Sequence, residues 1–347
     1  MADRVGMALD FGAQAVRFGW FLGINRIVDR QTTRLGADRN FKPTRPVPNQ
    51  REMLADLRQL IAADAEAVGR GVIPPQELAP RGLPDHVGRL RAMLRDLPSA
   101  LKRRADKDAS TVKAVAEDQL GELPDYFTQD FHFQTGGYLS EESAKLYDVQ
   151  VETLFYGSAQ LMRRVGLMEI AKAAQGRDQR TLSLVDIACG TGRLLRDVRR
   201  AFPAMRLTGL DLSEAYLNES SDHMTGLRPA TFMQANAEDV PLEAESQDIV
   251  SSVFLFHELP ADVRRTVAAE FARVLKPGGT LVFIDSLQMG DRPGWDGLLE
   301  AFPVRFHEPY YRQYTIDPLD KIFEDAGLTV TNQQNAFLSK VVTCVKP

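Results

Sequence analysis

The sequence predicts an α/β fold with a ligand loop at the end of a strand, preceded by an all-helical region. Three observations carry this. First, Leu184-Val185-Asp186-Ile187-Ala188-Cys189-Gly190-Thr191-Gly192 is a short apolar run holding an acid, followed by a small-residue turn, and an apolar-periodic helix starts at Leu194. Second, from there to the C-terminus short strand-like runs alternate with helical patterns. Third, the first half shows helical spacing only. Gly190 and Gly192 can take positive φ and let the backbone approach a ligand, while the helix start offers unpaired N–H groups.

With 347 residues, 44% of them hydrophobic, the chain can bury a full core and form two domains. A net charge of −5 argues against a broad nucleic-acid footprint. Cys189 and Cys344 are the only cysteines. Cys189 sits in the ligand turn, so a reducing cytoplasmic setting is expected and a disulfide framework is not. His257-Glu258 is followed by Leu259-Pro260-Ala261 and cannot form a helical zinc pair, so no metal is predicted. The N-terminus lacks a secretory pattern.

The helical half divides as follows. Phe11 to Val28 carries apolar residues almost all round a helix, interrupted by Gln14, Arg17, Asn25 and Arg26. It is too polar and too glycine-rich to span a bilayer. Two settings suit it: burial within the N-terminal domain or a homodimer interface, or peripheral membrane contact through 11–34 with Arg17, Arg26, Arg30 and Arg34 near headgroups. After a connector marked by Pro43, Pro46 and Pro48, helices are predicted over Gln50–Val68, Pro84–Leu97 and Ser99–Gln119. The charges of the last read as a solvated face. Phe127–Leu139 then clusters aromatics with His132 and a Gly-Gly pair, and Ser140–Leu161 reads as one buried helix.

The ligand loop separates two ligand classes. A dinucleotide fingerprint needs a third glycine where Leu195 stands, and it does not place an acid before the turn. An acid there suits a cationic ligand. The pattern Asp186-x-Ala188-x-Gly190-x-Gly192 resembles motif I of class I S-adenosylmethionine-dependent methyltransferases, where Ala in the first glycine slot is a common variant. Tyr147-Asp148 and the run from Leu154 to Arg164 loosely resemble the segment before motif I in ubiquinone and menaquinone C-methyltransferases.

The resemblance continues downstream and covers about residues 180–347. Arg206–Ser213 reads as a second strand ending at Asp211, about 20 residues past the glycine turn, where an acid accepts ribose hydroxyls; Leu212 follows it. The third strand, Ala230–Gln234, leads to Asn236-Ala237, the pair placed at the adenine, with Asn236 where the family often has Asp. The fourth, Gln247–Leu255, opens into Phe256-His257-Glu258. Arg273-Val274-Leu275-Lys276-Pro277-Gly278-Gly279 is among the superfamily's most recognisable pieces, and Leu328–Thr331 and Leu338–Lys346 read as the last two strands. The resemblance implies a Rossmann-like domain with a mostly parallel seven-stranded sheet whose last strand is antiparallel. The expected organisation is a helical domain over 1–125, a lid with connecting helices over 126–180, and an S-adenosylmethionine-binding domain over 181–347.

Methyl transfer from a sulfonium is an in-line displacement in which positioning supplies most of the rate, with a base needed only if the acceptor must lose a proton. His257 or His307 is expected as that base, with Tyr310 and Tyr311 orienting the acceptor; His132, Tyr138, Tyr147 and Phe256 are expected to line its pocket. Arg193, Arg196, Arg199 and Arg200 read as solvated surface. Aromatic-rich lid segments point to a flat or lipid-like small acceptor, methylated at carbon or oxygen. Two other classes stand beside this reading: a non-catalytic donor-binding regulatory or scaffold protein, and an RNA or protein methyltransferase. The missing acceptor-loop tetrad of amine methyltransferases and the net charge disfavour the latter.

Overall fold

The computed structural model describes residues 3–35, 41–77, 81–108, 111–112, 123–133 and 136–347. Helices α1 (Arg4–Leu35), α2 (Gln50–Gly69), α3 (Leu83–Asp106), α4 (Glu141–Leu154) and α5 (Ala159–Ala174) precede the sheet. Then β1 (Ser183–Ile187), α6 (Arg193–Ala201), β2 (Arg206–Asp211), α7 (Glu214–His223), β3 (Thr231–Gln234), β4 (Gln247–Val253), α8 (Ala261–Val274) and β5 (Leu275–Ser286) alternate. Helices α9 (Asp296–Arg305), α10 (Tyr311–Tyr314) and α11 (Leu319–Asp325) lead to β6 (Thr329–Ala336) and β7 (Ser339–Val345).

The sheet order is β3-β2-β1-β4-β5-β7-β6. Strands β1 to β5 pair in parallel, and β7 runs antiparallel between β5 and β6. The expected mostly parallel, seven-stranded Rossmann-like sheet with its antiparallel last strand is therefore the observed one. Its order reverses between β1 and β4, which opens a crevice beyond their carboxyl ends, the ligand side of such sheets. Strand β1 is buried along its whole length, as a central parallel strand with helices on both faces must be. Along β5, Val282 and Ile284 pack toward α2 and α5, while Leu281 and Phe283 pack toward α8 and α11.

Local chemistry fixes the helix starts. Asn49 and Glu52 form a reciprocal capping box on α2, Ser140 caps α4 through Ser143 N–H, and Ser213 caps α7 through Tyr216 N–H. Three expectations are corrected. Pro98 does not divide two helices: α3 runs through it, because the buried Leu90, Met93 and Leu101 hold both halves on one surface. The remainder of the charged helix predicted over Ser99–Gln119 lies outside the described residues from 109 on, apart from 111–112. Ser140–Leu161 is not one helix, since Tyr156 and Gly157 turn left-handed (φ 54° and 82°) between α4 and α5. A Cβ on Gly157 would stand 2.8 Å from Phe21 of α1, so only glycine lets α1 close on that turn.

The arginines of α6 are not solvated surface either. Arg196 is tied to Glu77 and to the His223 carbonyl, Arg199 to the carbonyls of Pro203, Met205 and Pro229, and Arg193 to Asp148. These guanidiniums satisfy loop carbonyls and carboxylates that the fold buries.

Helix α1 buries a mixed face. Phe21 and Ile24 pack with Leu90, Met93 and Val149, and beside them Gln14 donates to Asp10 (2.5 Å) and Asp64 (2.7 Å), Asp64 accepts from the fully buried Arg164 (2.7 Å), and Arg17 pairs with Glu152 (2.9 Å). Its outward face carries Val5, Leu9, Val16, Trp20 and Ile27, all exposed. Among the described residues no helix is long and apolar enough to cross a membrane.

Candidate active site

The loop after β1 is bent by three left-handed residues, Ala188 (φ 57°), Gly190 (54°) and Gly192 (71°), and anchored where Cys189 N–H donates to the Leu210 carbonyl (2.9 Å). Asp211, at the end of β2, accepts Gly190 N–H on Oδ2 (2.8 Å) and Ser213 N–H on Oδ1 (2.9 Å). These bonds lock the carboxylate against the loop while each oxygen keeps a further lone pair for a ligand hydroxyl. Asp186 accepts from Ser251 (2.7 Å), and Asn236 accepts from Tyr126 (3.3 Å).

These residues line one cleft. Asp186, Ala188, Gly190, Asp211, Leu212, Asn236 and Ala237 all face it, under a roof of Tyr126, Phe127, Phe131 and Tyr138. Gly192 does not line it. A Cβ there would meet Ser220 Oγ at 2.7 Å, so this glycine serves the packing of α6 on α7.

The cleft is lined by three carboxyls, Asp186, Asp211 and Glu258, and by two arginines, Arg163 and Arg193. Burial pushes Asp186 up to about 7; the Ser251 hydroxyl pulls it back, and the Asp211 charge pushes it further. Burial also raises Asp211 against the pull of its backbone donors. Burial raises Glu258, on the same wall, to about 7 in spite of His257 and Tyr138 beside it. Three carboxyls raised by burial, Asp186 and Glu258 to about 7, fit a cationic ligand, whose charge would favour their ionised forms. A pyrophosphate would do the reverse.

A second, larger cavity of about 560 Å³ adjoins the cleft. Its walls are mainly apolar, with Val28 of α1, Met93 and Leu101 of α3, Phe155 after α4, and Phe302 and Tyr311 beyond β5. Tyr147, Phe254 and Glu258 belong to both spaces.

The polar group at this junction is built on the loop after β4. His257 Nδ1 lies 2.5 Å from Asp285 Oδ1, whose other oxygen accepts Phe256 N–H (2.7 Å). Asp285 is fully buried and fixes the ring, leaving His257 Nε2 3.8 Å from Glu258 Oε1. Burial pulls the imidazole down, but Asp285, with Glu258 and Glu308 behind it, more than offsets this and lifts it to about 9. Glu258 accepts from the Tyr138 hydroxyl (2.5 Å). His132 faces the same cavity, held at φ 57°, with Nε2 3.2 Å from Glu308. Burial, aided by the His257 charge, drives His132 down to about 3, and burial drives Glu308 well above the carboxylate range, so that contact is between uncharged groups.

The structure thus brings together His132, Tyr138, Tyr147, His257 and Tyr311, from four separate segments. Three expected residues stand apart. Phe256 turns into the core against Phe271, Phe283 and Phe323 and lines neither space. His307 lies against Phe133 and Gln129 outside both, and Tyr310 is half-buried beyond them, its carbonyl accepting from Arg264. Sequence reasoning missed Glu258 and Asp285 as site residues. The only available signal was the acid adjoining His257 and the acid ending β5.

A strand-loop-helix cleft of this kind, acidic and placed at the sheet's reversal, defines a nucleoside-type ligand site on a Rossmann-like domain. Residues 184–279 match the family model described as a methyltransferase domain. A demethylmenaquinone methyltransferase of Listeria monocytogenes is 31% identical over 174 residues, 44% of this chain and 72% of that protein. A ubiquinone/menaquinone biosynthesis C-methyltransferase of Syntrophotalea carbinolica is 32% identical over 154 residues, covering 43% of this chain and 60% of its own length. Among solved structures, an S-adenosylmethionine-dependent methyltransferase of Aquifex aeolicus overlays 57% of this chain and 98% of that one at 19% identity, with a TM-score of 0.42. The chain belongs to the class I S-adenosylmethionine-dependent methyltransferases and is distantly related to the menaquinone methyltransferases and other small-molecule members.

Proposed function

We propose that the protein transfers the methyl group of S-adenosylmethionine to a small acceptor with an extended apolar body, at carbon or oxygen. The observation that carries this reading is the junction: an acidic donor-type cleft opens onto an apolar cavity of about 560 Å³ through Tyr147, Phe254 and Glu258. The cavity lies within the range of small-molecule sites. The names of the relatives, which act on quinone precursors, support an acceptor of that chemical kind.

In this proposal Asp211 holds the donor ribose, Asn236 and Ala237 meet the adenine, and Asp186 and Glu258 face the positive charge. The donor supplies an electrophilic methyl, and the chain's own work is to align the acceptor and manage its proton. Asp285 keeps the Nδ1 proton on His257, so Nε2 is the atom that can accept one from an acceptor hydroxyl or activated carbon. At neutral pH His257 is largely imidazolium. Positive charge bound beside Glu258 lowers its pKa toward the working range. Tyr311, whose hydroxyl contacts Ser286 (2.6 Å), and His132 shape the acceptor side. Tyr126, Phe127, Phe131 and Tyr138 line the cleft and His132, Gln150 and Phe155 the cavity, which supports reading this segment as a lid.

Calorimetric titration with S-adenosylmethionine and S-adenosylhomocysteine tests the donor site. Asp211→Ala removes the acceptor of two backbone donors and the ribose contact, and is expected to weaken binding at least about a hundredfold. Binding by the wild type, lost in the variant, justifies screening quinones, phenols and lipid acids for methyl transfer. Unchanged binding in Asp211→Ala refutes the donor placement. Donor binding without turnover on any such acceptor leads to the regulatory reading.

A further inference from the structure

Of the ten large apolar side chains that stand exposed among the described residues, six lie on α1: Val5, Leu9, Phe11, Val16, Trp20 and Ile27. Five of them recur at helical spacing on one face, from Val5 to Ile27, a stripe about 33 Å long at the α-helical rise. A helix whose outside is merely solvated has no use for this arrangement. The inward face is already committed, Gln14 to a hydrogen bond with Asp64 of α2, Arg17 to an ion pair with Glu152, and Phe21 and Ile24 to an apolar cluster, so rotating the stripe into the core would break these contacts.

The charges on the helix point to what covers the stripe. Arg26, Arg30 and Arg34 follow at four-residue intervals along one flank toward the helix end, all exposed, with no acidic partner within ion-pair distance among the described residues. Arg4 is exposed at the other end. Arg17, expected near headgroups, is instead buried and paired with Glu152, so the exposed arginines of the helix are Arg4, Arg26, Arg30 and Arg34, in a chain whose net charge is −5. An apolar stripe with an interfacial tryptophan and a basic flank matches a helix that lies in an anionic lipid interface. The opposite face of the same helix, through Asn25, Val28 and Thr32, is a wall of the large cavity. The surface facing lipid would therefore stand one helix diameter from the space assigned to an apolar acceptor.

We propose that α1 seats the protein on an anionic lipid surface, lying in its plane through Val5, Leu9, Val16, Trp20 and Ile27, with Arg26, Arg30 and Arg34 against the headgroups. Lipid binding needs no methyl acceptor, so it is tested independently of the catalytic reading. The full chain is floated with vesicles of phosphatidylcholine, with and without phosphatidylglycerol, while Trp20 emission is followed; Trp295 is already buried.

The expected result is binding to the anionic vesicles with a blue shift, weakened by salt. Val16→Glu with Trp20→Glu should lower it at least about tenfold, the equivalent of one apolar side chain left in water. Arg26→Gln, Arg30→Gln and Arg34→Gln together should abolish the preference for anionic over neutral vesicles. Both variants should keep wild-type affinity for S-adenosylmethionine, which shows that they fold. No flotation by the wild type overturns the proposal, as does flotation that survives the broken stripe. So does a wild-type dimer that the Val16→Glu, Trp20→Glu variant splits while neither binds vesicles, because a second copy then covers the face.

Discussion

Asp285→Asn is the perturbation that separates a working His257 from a packed one. Asp285 lies 2.5 Å from His257 Nδ1 and is fully buried, and with its neighbours it lifts the imidazole from 6.5 to about 9 against the pull of burial. That lift corresponds to about 3 kcal/mol of preference for the imidazolium. Asparagine keeps a carbonyl for Phe256 N–H and removes the largest charge that raises the ring, leaving Glu258 and Glu308 alone to oppose burial. His257 should then titrate well below 9. Histidine ring NMR over pH 5 to 10 reads this directly, with the His257 signal assigned by its loss in His257→Gln.

Stability carries the same signature. Because the folded pKa lies above the unfolded one, the pair's contribution is whole below pH 6.5 and is lost as the pH climbs through about 9. Denaturant melts of the wild type should lose on the order of 3 kcal/mol across that window, and those of Asp285→Asn should lose clearly less. Methyl transfer should rise with pH toward 9 in the wild type and lose that alkaline limb in the variant. A His257 signal that titrates near 6.5 in both proteins refutes the coupled pair and, with it, the role given to Nε2.

Donor affinity should rise from pH 6 to pH 8, because Asp186 and Glu258, both raised to about 7, must be ionised to face a cation, and it should level off above that; a pH-independent dissociation constant by calorimetry contradicts the charge reading of the cleft. Leu101→Trp should fill part of the large cavity, raising KM for the acceptor or excluding it while donor affinity stays unchanged; loss of donor binding would show that the two spaces are one. Phe256→Ala should cost about 3–5 kcal/mol in chemical denaturation through the void left among Phe271, Phe283 and Phe323, and a variant of wild-type stability would return Phe256 to the acceptor side.

The sequence by itself determined the sheet fold and where along it most of the residues that line the cleft fall. Short-range patterns encode both: an apolar strand, a turn that needs small or left-handed residues, and an acid at a strand end. Asp186, Gly190, Asp211 and Asn236 could thus be placed by position along their strands, since a parallel sheet carries every strand's carboxyl end to the same edge. The order and direction of the last two strands were legible only through family resemblance.

Tertiary structure decided what local pattern cannot carry. Whether Pro98 ends a helix depends on what holds its two sides, and whether Arg196 meets water depends on Glu77, 119 residues away in the chain. His257 and His307 are equivalent as isolated histidines; they differ because Asp285 of β5 reaches one, while the other packs beside Phe133 outside the cavity. Phe256 and Phe254 are two residues apart in one loop, yet the first is buried in the core and the second lines the junction. Helix α1 shows the same limit most plainly. Its apolar residues run almost all round, and which of them are buried is decided by Asp64 and Glu152, which pair its polar residues, and by Leu90, Met93 and Val149, which take Phe21 and Ile24.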